Sequence, residues 1–338
     1  NTTLEDWKQS LATCSLVDAE SSAASMRPLV LAGDRLYLRR YWNHERNIAQ
    51  KLAKRAATTL PDDPALPTLL DQLFTRPSDG QTDWQKIACA IAARGNFSVI
   101  TGGPGTGKTH TVVRLLALLQ TLALEKGQPL VIRLAAPTGK AAARMSESIN
   151  QQLGNQQLGK LALSDDLKKT LITAASASTV HRLLGTRPGT NHYTHNASNP
   201  LALDVLVVDE ASMVGLGMMS CLLAALPEQA RLILLGDKDQ LASVEAGAVL
   251  GELCAEAEKA AYNDETRQWL KQHCDVTLAE PDTTSSNPLA QQIVMLRHSR
   301  RFEAHPQIGQ LATAVNAMDK DAARQALAES NGDTFCIQ

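Results

Sequence analysis

The sequence predicts an α/β fold, a doubly wound parallel sheet preceded by a small, mainly helical N-terminal region. Short apolar runs such as 203–208 and 232–235 show no polar alternation, which is typical of strands covered by helices on both faces. These runs alternate with segments of helical periodicity, as in doubly wound sheets. Aromatic residues make up only 4% of the chain, which disfavours a fold built on aromatic-rich sheets.

The helix and strand signals divide the 338 residues into three predicted regions. The first holds helices near 46–59 and 66–74 and two short strands that flank a Gly33-Asp34 turn. The second holds the alternating helices and strands, with a polar insert at 185–200 that is a loop or a β-hairpin. A second α/β unit is expected to follow and to be cut short. The predicted regions are 1–78, 79–288 and 289–338.

Composition and charge limit the classes of function. The net charge is −2 and the pI is about 6.5, so bulk charge does not indicate a nucleic-acid partner, and any basic surface must be local. The six cysteines are scattered without a C-x-x-C pair, which predicts reduced thiols of a cytoplasmic protein. No apolar run approaches the ~18 residues of a membrane span, and the N-terminus lacks a signal pattern. The chain opens on Asn1, and we expect it to be a piece of a longer protein.

The strongest motif is a full G-x-x-x-x-G-K-T between a predicted strand and a predicted helix. Such a loop wraps its N–H groups around phosphates at a helix N-terminus, which predicts a nucleoside triphosphate such as ATP. Lys108 would bridge the β- and γ-phosphates, and the Thr109 hydroxyl would bind Mg²⁺. The alternative is a glycine-rich turn that matches by chance. The residues are Gly102, Gly103, Pro104, Gly105, Thr106, Gly107, Lys108 and Thr109, followed by His110.

Two acids, Asp209 and Glu210, follow the apolar residues 206–208 at the end of a predicted strand. A buried carboxylate loses its hydration at high cost, so a pair of them at a strand end indicates a function. Asp209 fits a Mg²⁺ ligand, and Glu210 fits the base that orients and deprotonates the attacking water. The alternative is that both acids cap the next helix.

A third strand runs into the polar turn 236–241, which contains Gln240. The three loops all follow strands, so we expect them to gather at the carboxyl edge of one sheet, where such folds bind ligands. Gln240 would then reach the γ-phosphate and report its presence. The alternative is an aspartate-rich turn without a function.

Together these motifs resemble those of superfamily 1 helicases, and more closely those of the RecD family, the alpha subunits of exodeoxyribonuclease V, with the related RecD-like 5′–3′ DNA helicases. Residues 136–142 and 178–184 are similar to the DNA-contacting motifs of that family, and 240–247 is similar to its third motif. The match is dense from about 84 to 251 and resumes at 296–302.

The resemblance implies a RecA-like motor domain and several residue roles. Gln85 would recognise adenine, and Arg301 would come from a second motor domain to stabilise charge on the γ-phosphate. Alternatively, both are surface residues and His181 is a buried structural histidine. The residues implied to lie along single-stranded DNA are Thr138, Lys140, Thr179 and His181.

The resemblance also implies an ATP-dependent 5′–3′ helicase that couples ATP hydrolysis to movement along single-stranded DNA in double-strand-break repair and recombination. Its implied partners are DNA ends and RecB- and RecC-type subunits, with the N-terminal region as the docking part and the 185–200 insert as a hairpin at the duplex junction. The fifth and sixth motifs should lie beyond residue 338. The chain shows no nuclease constellation, so nuclease activity would belong to a partner.

One departure from the family pattern and two alternatives remain open. His110 stands where the family commonly has a small hydroxyl residue, and we expect little effect from it. Another superfamily 1 helicase, of relaxase or eukaryotic type, would carry similar motifs. A nucleotide-binding switch or scaffold that never translocates is the alternative from a different class. The N-K-x-D and L-S-G-G-Q signatures of GTPases and ABC proteins do not occur in the sequence.

Overall fold

The computed structural model describes residues 3–19, 26–75, 81–154, 157–187, 189–190, 192–240, 247, 249–279, 287–299 and 306–328. At its centre lies a six-stranded sheet in the order β11-β4-β10-β9-β5-β8, in which every neighbouring pair is parallel. This arrangement confirms the predicted fold class. The strands are β4 (Phe97–Gly102), β5 (Ile132–Ala136), β8 (Ala177–Thr179), β9 (Val205–Val208), β10 (Arg231–Gly236) and β11 (Ile293–Leu296).

Helices cover both faces of the sheet. As a result, the inner strands β4 and β9 are buried along their whole length. Two apolar clusters lie between the helices and the sheet, one on each face. The consecutive β9 residues Val207 and Val208 point to opposite faces, and each belongs to a different cluster. The helices of this part are α4 (Trp84–Arg94), α5 (Lys108–Glu125), α6 (Gly139–Leu153), α7 (Asp165–Ala174), α8 (Val180–Leu184), α9 (Leu216–Ala225), α10 (Val249–Leu253) and α11 (Asp264–Cys274). A two-stranded ribbon, β6 (Gln157–Leu158) and β7 (Leu161–Ala162), precedes α7.

The N-terminal region forms a small sheet as well as helices. The predicted turn at Gly33, with a φ of 56°, joins β2 (Leu29–Ala32) to β3 (Arg35–Leu38), and β2 pairs in parallel with β1 (Val17–Ala19). Around it lie α1 (Leu4–Thr13), α2 (Arg39–Ala56) and α3 (Leu66–Leu73).

Helices α2 and α3 pack on the α/β part rather than on the small sheet alone. Leu52 of α2 belongs to one apolar cluster of the central sheet, and Leu70 of α3 belongs to the other. A buried arginine, Arg55, donates from α2 to the carbonyls of Leu226 and Ala230. The N-terminal region is therefore continuous with the core of the α/β part from α2 onward.

Strand β11 differs from the sequence expectation. The sequence predicts the start of a second α/β unit from residue 289 onward, whereas Ile293–Leu296 forms the edge strand of the first sheet and pairs in parallel with β4. The reason is that an apolar run after a polar linker is compatible with either unit, and the partner strand decides between them. Beyond it, α12 (Pro306–Asn316) packs on α13 (Lys320–Ala328). None of the helices described here is long and apolar enough to cross a membrane.

Candidate functional site

The three predicted loops meet at one edge of the sheet. Strands β4, β10 and β9 are neighbours, so the residues that follow their carboxyl ends lie side by side. A direct bond joins the Gln240 turn to the end of β4, where the backbone N–H of Lys238 donates to Oγ1 of Thr101 across 3.2 Å. The edge therefore brings the glycine-rich loop, the acid pair and the Gln240 turn together.

The glycine-rich loop bends back over the end of β4. Gly105 and Gly107 have φ values of 79° and 86°, in the left-handed region that glycine adopts without strain. Lys108, the first residue of α5, donates from Nζ to the carbonyls of Gly102 at 2.5 Å and Gly103 at 3.2 Å. The ammonium group thus lies inside the loop, where the phosphates of a nucleotide would be bound.

The loop is packed closely against β11. A Cβ on Gly102 would lie 2.7 Å from Oγ1 of Thr106 and 3.0 Å from the carbonyl oxygen of Leu296, so a side chain cannot fit there. From the segment after β11, the hydroxyl of Ser299 donates to the carbonyl of Pro104 across 2.8 Å. The segment 296–302, where the family resemblance resumes, therefore contacts the tip of the phosphate loop through Ser299.

The acid pair lies at the end of β9. The backbone N–H of Asp209 donates to Ala135 at 2.9 Å, and the Asp209 carboxylate accepts from the backbone N–H of Glu210 at 2.9 Å. Burial raises the pKa of Asp209, the neighbouring Glu210 charge raises it further, and the bond from the Glu210 N–H and the charge of Lys108 oppose this rise. Two carboxylates near a single ammonium leave excess negative charge, which an oxygen-ligated cation would neutralise.

Glu210 has an unusual backbone conformation. Its φ is 50°, in the left-handed region that non-glycine residues rarely adopt, and it directly precedes a 3₁₀ turn at Ala211–Met213. Strain of this kind concentrates at functional sites, where the surrounding structure holds it in place. The conformation supports a role for the Glu210 carboxylate that its position at a strand end had predicted.

Gln240 is linked to the acid pair through Ser212. The Ser212 hydroxyl donates to Oε1 of Gln240 across 3.3 Å. Asp237, which is buried, accepts from the backbone N–H of Asp239 at 3.1 Å and holds the turn that carries Gln240. Sequence reasoning missed Ser212, whose only signal is its position two residues after Glu210.

Gln85 lies against the phosphate loop. Its Nε2 donates to the carbonyl of Thr106 across 3.1 Å, and its Oε1 lies 3.4 Å from Nδ1 of His110. Asp83 caps α4 by accepting from the backbone N–H of Gln85, which fixes where the helix begins. The structure thus places Gln85 and His110 together beside the loop. The recognition of adenine by Gln85 remains a prediction.

The residues predicted to contact DNA lie on the other half of the same edge. Thr138 follows β5 and Thr179 ends β8, and their hydroxyls cap α6 and α8 by accepting from the backbone N–H groups of Ala141 and Arg182 at 3.2 Å each. Lys140 is exposed in the first turn of α6. Strand β8 itself was not predicted, because Ala-Ser-Thr lacks an apolar run.

The polar insert folds back on α8. Isolated antiparallel bridges join Thr186 to Tyr193 and Asn196 to Asn199, and the N–H of Thr194 donates to the carbonyl of Gly185 at 2.8 Å. The ring of Tyr193 meets that of His181 edge-on, with centroids 6.3 Å apart. Tyr193 is a residue next to the predicted DNA contacts that sequence reasoning missed.

One predicted site residue cannot be placed. Arg301 lies outside the described residues, as do residues 241–246 of the third motif. The expected contact of Arg301 with a γ-phosphate therefore remains a prediction.

Comparison with known proteins finds a matching domain family and several similar proteins. Residues 85–246 match the sequence model of the AAA domain. The RecD subunit of the RecBCD enzyme from Haemophilus influenzae is 41% identical over 316 residues, which cover 92% of this chain and 48% of the relative. The ATP-dependent RecD2 DNA helicase of Deinococcus radiodurans is 36% identical over 233 residues, which cover 68% of this chain and 28% of that protein. The chain thus spans about half the length of the Haemophilus relative.

Among solved structures, Bacteroides Pif1 bound to single-stranded DNA is similar over 73% of this chain and 48% of that chain, at 21% identity and a TM-score of 0.36.

Proposed function

The chain belongs to the RecD family, and we propose that this protein is an ATP-dependent 5′–3′ DNA helicase, the RecD-type subunit of a RecBCD-type complex that acts in double-strand-break repair and recombination. One structural observation carries the proposal. The glycine-rich loop with Lys108, the acid pair at Asp209 and the turn of Gln240 meet at the edge of one parallel sheet.

We propose that this edge binds ATP and Mg²⁺. The Lys108 ammonium would leave the loop carbonyls for the β- and γ-phosphates, and the N–H groups of the loop would bind phosphate oxygens. Thr109 and Asp209 would hold Mg²⁺, which prefers oxygen ligands and would supply charge neutralisation at the phosphates. The raised pKa of Asp209, caused by burial and by Glu210, supports a site that is completed by a cation.

Glu210 would act as the base in hydrolysis. Its carboxylate follows the Mg²⁺ position by one residue, and its left-handed backbone turns the chain between β9 and the 3₁₀ turn. A carboxylate held there can accept a proton from the water that attacks the γ-phosphate. Gln240, held by Ser212, would orient toward the γ-phosphate and respond to its loss.

Hydrolysis would drive movement through a second motor domain. Arg301 would approach the γ-phosphate from that domain, and Ser299 already contacts the loop tip at Pro104. Because β11 belongs to the first sheet, we place the boundary between the two motor domains after Leu296 rather than at 288. Opening and closing of the cleft between the two motor domains would then move the segment that follows β11.

The DNA strand would run along the half of the edge formed by β5 and β8. A Thr hydroxyl and a Lys ammonium, as at Thr138 and Lys140, are ordinary phosphate contacts. The rings of His181 and Tyr193 offer faces on which bases stack. The partners would be DNA ends and RecB- and RecC-type subunits, and the N-terminal sheet with α1 would be the docking part, since its apolar Leu4, Trp7 and Leu36 are exposed.

The experiment is ATPase activity of the complete protein with and without single-stranded DNA. Lys108→Gln should abolish ATP turnover, because the phosphate-binding ammonium is lost. The control is Lys126→Gln, whose exposed ammonium lies past the other end of α5. Full DNA-stimulated activity in Lys108→Gln would overturn the site, and intact turnover that DNA does not stimulate would favour the nucleotide switch.

A further inference from the structure

Four polar groups form a continuous chain behind the phosphate loop. The guanidinium of Arg114 contacts both ring nitrogens of His110, Nδ1 of His110 lies 3.4 Å from Oε1 of Gln85, and Nε2 of Gln85 donates to the carbonyl of Thr106 at 3.1 Å. Arg114 and His110 lie one turn apart on α5, and Gln85 lies in the first turn of α4. These contacts thus connect α5 to α4 and connect both helices to the loop.

The polarity of this chain is fixed at its Thr106 end. The Thr106 carbonyl can only accept, so it binds the amide nitrogen of Gln85, and the amide oxygen then faces Nδ1 of His110. Since Oε1 can only accept, the proton of the neutral ring must be on Nδ1. The guanidinium of Arg114 carries only donors and contacts both ring nitrogens, and the lone pair that remains for it is on Nε2. A flip of the Gln85 amide would place two acceptors together at Thr106.

We propose that His110 is a positioning residue for base recognition, which with Arg114 fixes the Gln85 amide in the orientation that accepts adenine and rejects guanine. The inference rests on the proposed ATP site and assigns its base selectivity. It revises the sequence expectation that His110 has little effect.

The selectivity follows from the hydrogen-bond donor and acceptor that remain available on the fixed Gln85 amide. Nε2 carries two hydrogens and Oε1 two lone pairs, and within the described residues Thr106 and His110 engage one of each. The remaining donor and acceptor match adenine, which presents an N7 acceptor beside an N6–H donor. Guanine presents acceptors at both N7 and O6, so Oε1 would face O6 without a hydrogen between them.

The chain is anchored outside the loop. Nε of Arg114 donates to the carbonyl of Leu73 across 2.8 Å, and its guanidinium lies 5.4 Å from the ring centroid of Phe74. Both residues belong to the end of α3, which packs on α5 and α4. Gly107 also belongs to the arrangement, because a Cβ there would overlap Nε2 of Gln85. The N-terminal region would therefore support the base site through α3.

The test is nucleotide affinity of the complete protein with Mg²⁺, measured for ATP and GTP by displacement of a fluorescent ATP analogue. His110→Ala should weaken ATP about three- to tenfold, the size of one hydrogen bond, and leave GTP unchanged, while kcat at saturating ATP stays within about twofold. His110→Gln, which keeps a side-chain N–H donor, should recover part of the lost selectivity. His192→Ala, in the polar insert, is the control and should leave both affinities as they are.

A double-mutant cycle separates positioning from general damage. In a Gln85→Ala background, His110→Ala should cause no further loss of ATP-over-GTP selectivity. Equal weakening of ATP and GTP by His110→Ala, or additive losses in the cycle, would overturn the positioning role. A Gln85→Ala variant with unchanged ATP affinity and selectivity would instead remove Gln85 from the proposed ATP site.

Discussion

The hydroxyl of Ser212 donates to Oε1 of Gln240 across 3.3 Å and joins the turn after β9 to the turn after β10. Ser212 is buried whereas Gln240 is exposed, and the bond leaves the amide nitrogen of Gln240 as the donor for a ligand. The two turns that carry the proposed base and the proposed γ-phosphate sensor are thus held in one orientation.

Ser212→Ala is expected to lower kcat for ATP about two- to tenfold with little change in KM, because the sensor loses orientation while the phosphate loop is intact. Steady-state ATPase assays with single-stranded DNA measure this. Ser220→Ala is the matched control, since Ser220 is equally buried and bonded to Asn47 at 2.9 Å but lies on α9. Wild-type kcat in Ser212→Ala, together with impaired Gln240→Ala, would contradict the role of the bond.

Arg55 should be a main attachment of the N-terminal region. It is 3% exposed and donates to four backbone carbonyls of the turn between α9 and β10, and burial lowers the pKa of its guanidinium from the usual value. Arg55→Met removes these four hydrogen bonds from buried or part-buried carbonyls, and we expect it to reduce the free energy of unfolding by about 2–4 kcal/mol. Urea or thermal unfolding measures the loss.

Lys54→Met is the matched control for Arg55. Its ammonium binds Glu228 of the same turn at 2.7 Å, but both side chains are more than 60% exposed, so solvent screens the pair. We expect a small change in Tm for this variant. Equal losses in the two variants would show that the buried fork of Arg55 contributes no more than a surface charge.

Much of the edge could be predicted because each loop follows a strong local signal. The starts of α4 and α5 follow from local signals, since Asp83 caps the first helix and the glycine-rich loop directly precedes the second. Strand β8 and the place of β11 could not be predicted, because short strands depend on their partners. The bonds of Ser212 and His110 join residues 28 and 25 positions apart, and no local pattern indicates such contacts.

Asp63 should make stability depend on pH at the acid end. Its carboxylate binds Lys126 at 2.6 Å and accepts from the backbone N–H of Ala65, and the Lys126 bond, first of these, holds its pKa below the usual 3.8. A lowered folded-state pKa gives stability that is present above 3.8 and is lost as pH falls through the folded value. Asp63→Asn should therefore be less stable than wild type at pH 5–7, and the difference should shrink below about 3.8.

Urea unfolding across this pH range measures the effect of Asp63→Asn. Glu125→Gln, an exposed neighbour of Lys126, is the control and should leave the profile close to that of wild type. A stability difference that stays constant below pH 3.8 would mean that Asp63 contributes through its shape or its Ala65 bond, not through its charge.

Lys140 tests the proposed path of the DNA strand. It is exposed in the first turn of α6, next to the Thr138 cap and on the half of the edge formed by β5 and β8. A lysine that neutralises one phosphate releases about one counterion, so Lys140→Ala should weaken single-stranded DNA similarly for all sequences and reduce the slope of log affinity against log salt by about 0.7. Fluorescence anisotropy over a salt series measures both the affinity and the salt slope.

Lys126→Ala is the control for Lys140→Ala, because α5 carries Lys126 to the opposite edge of the sheet. ATPase activity without DNA should be unchanged, and an unaltered salt slope in Lys140→Ala would place the strand elsewhere.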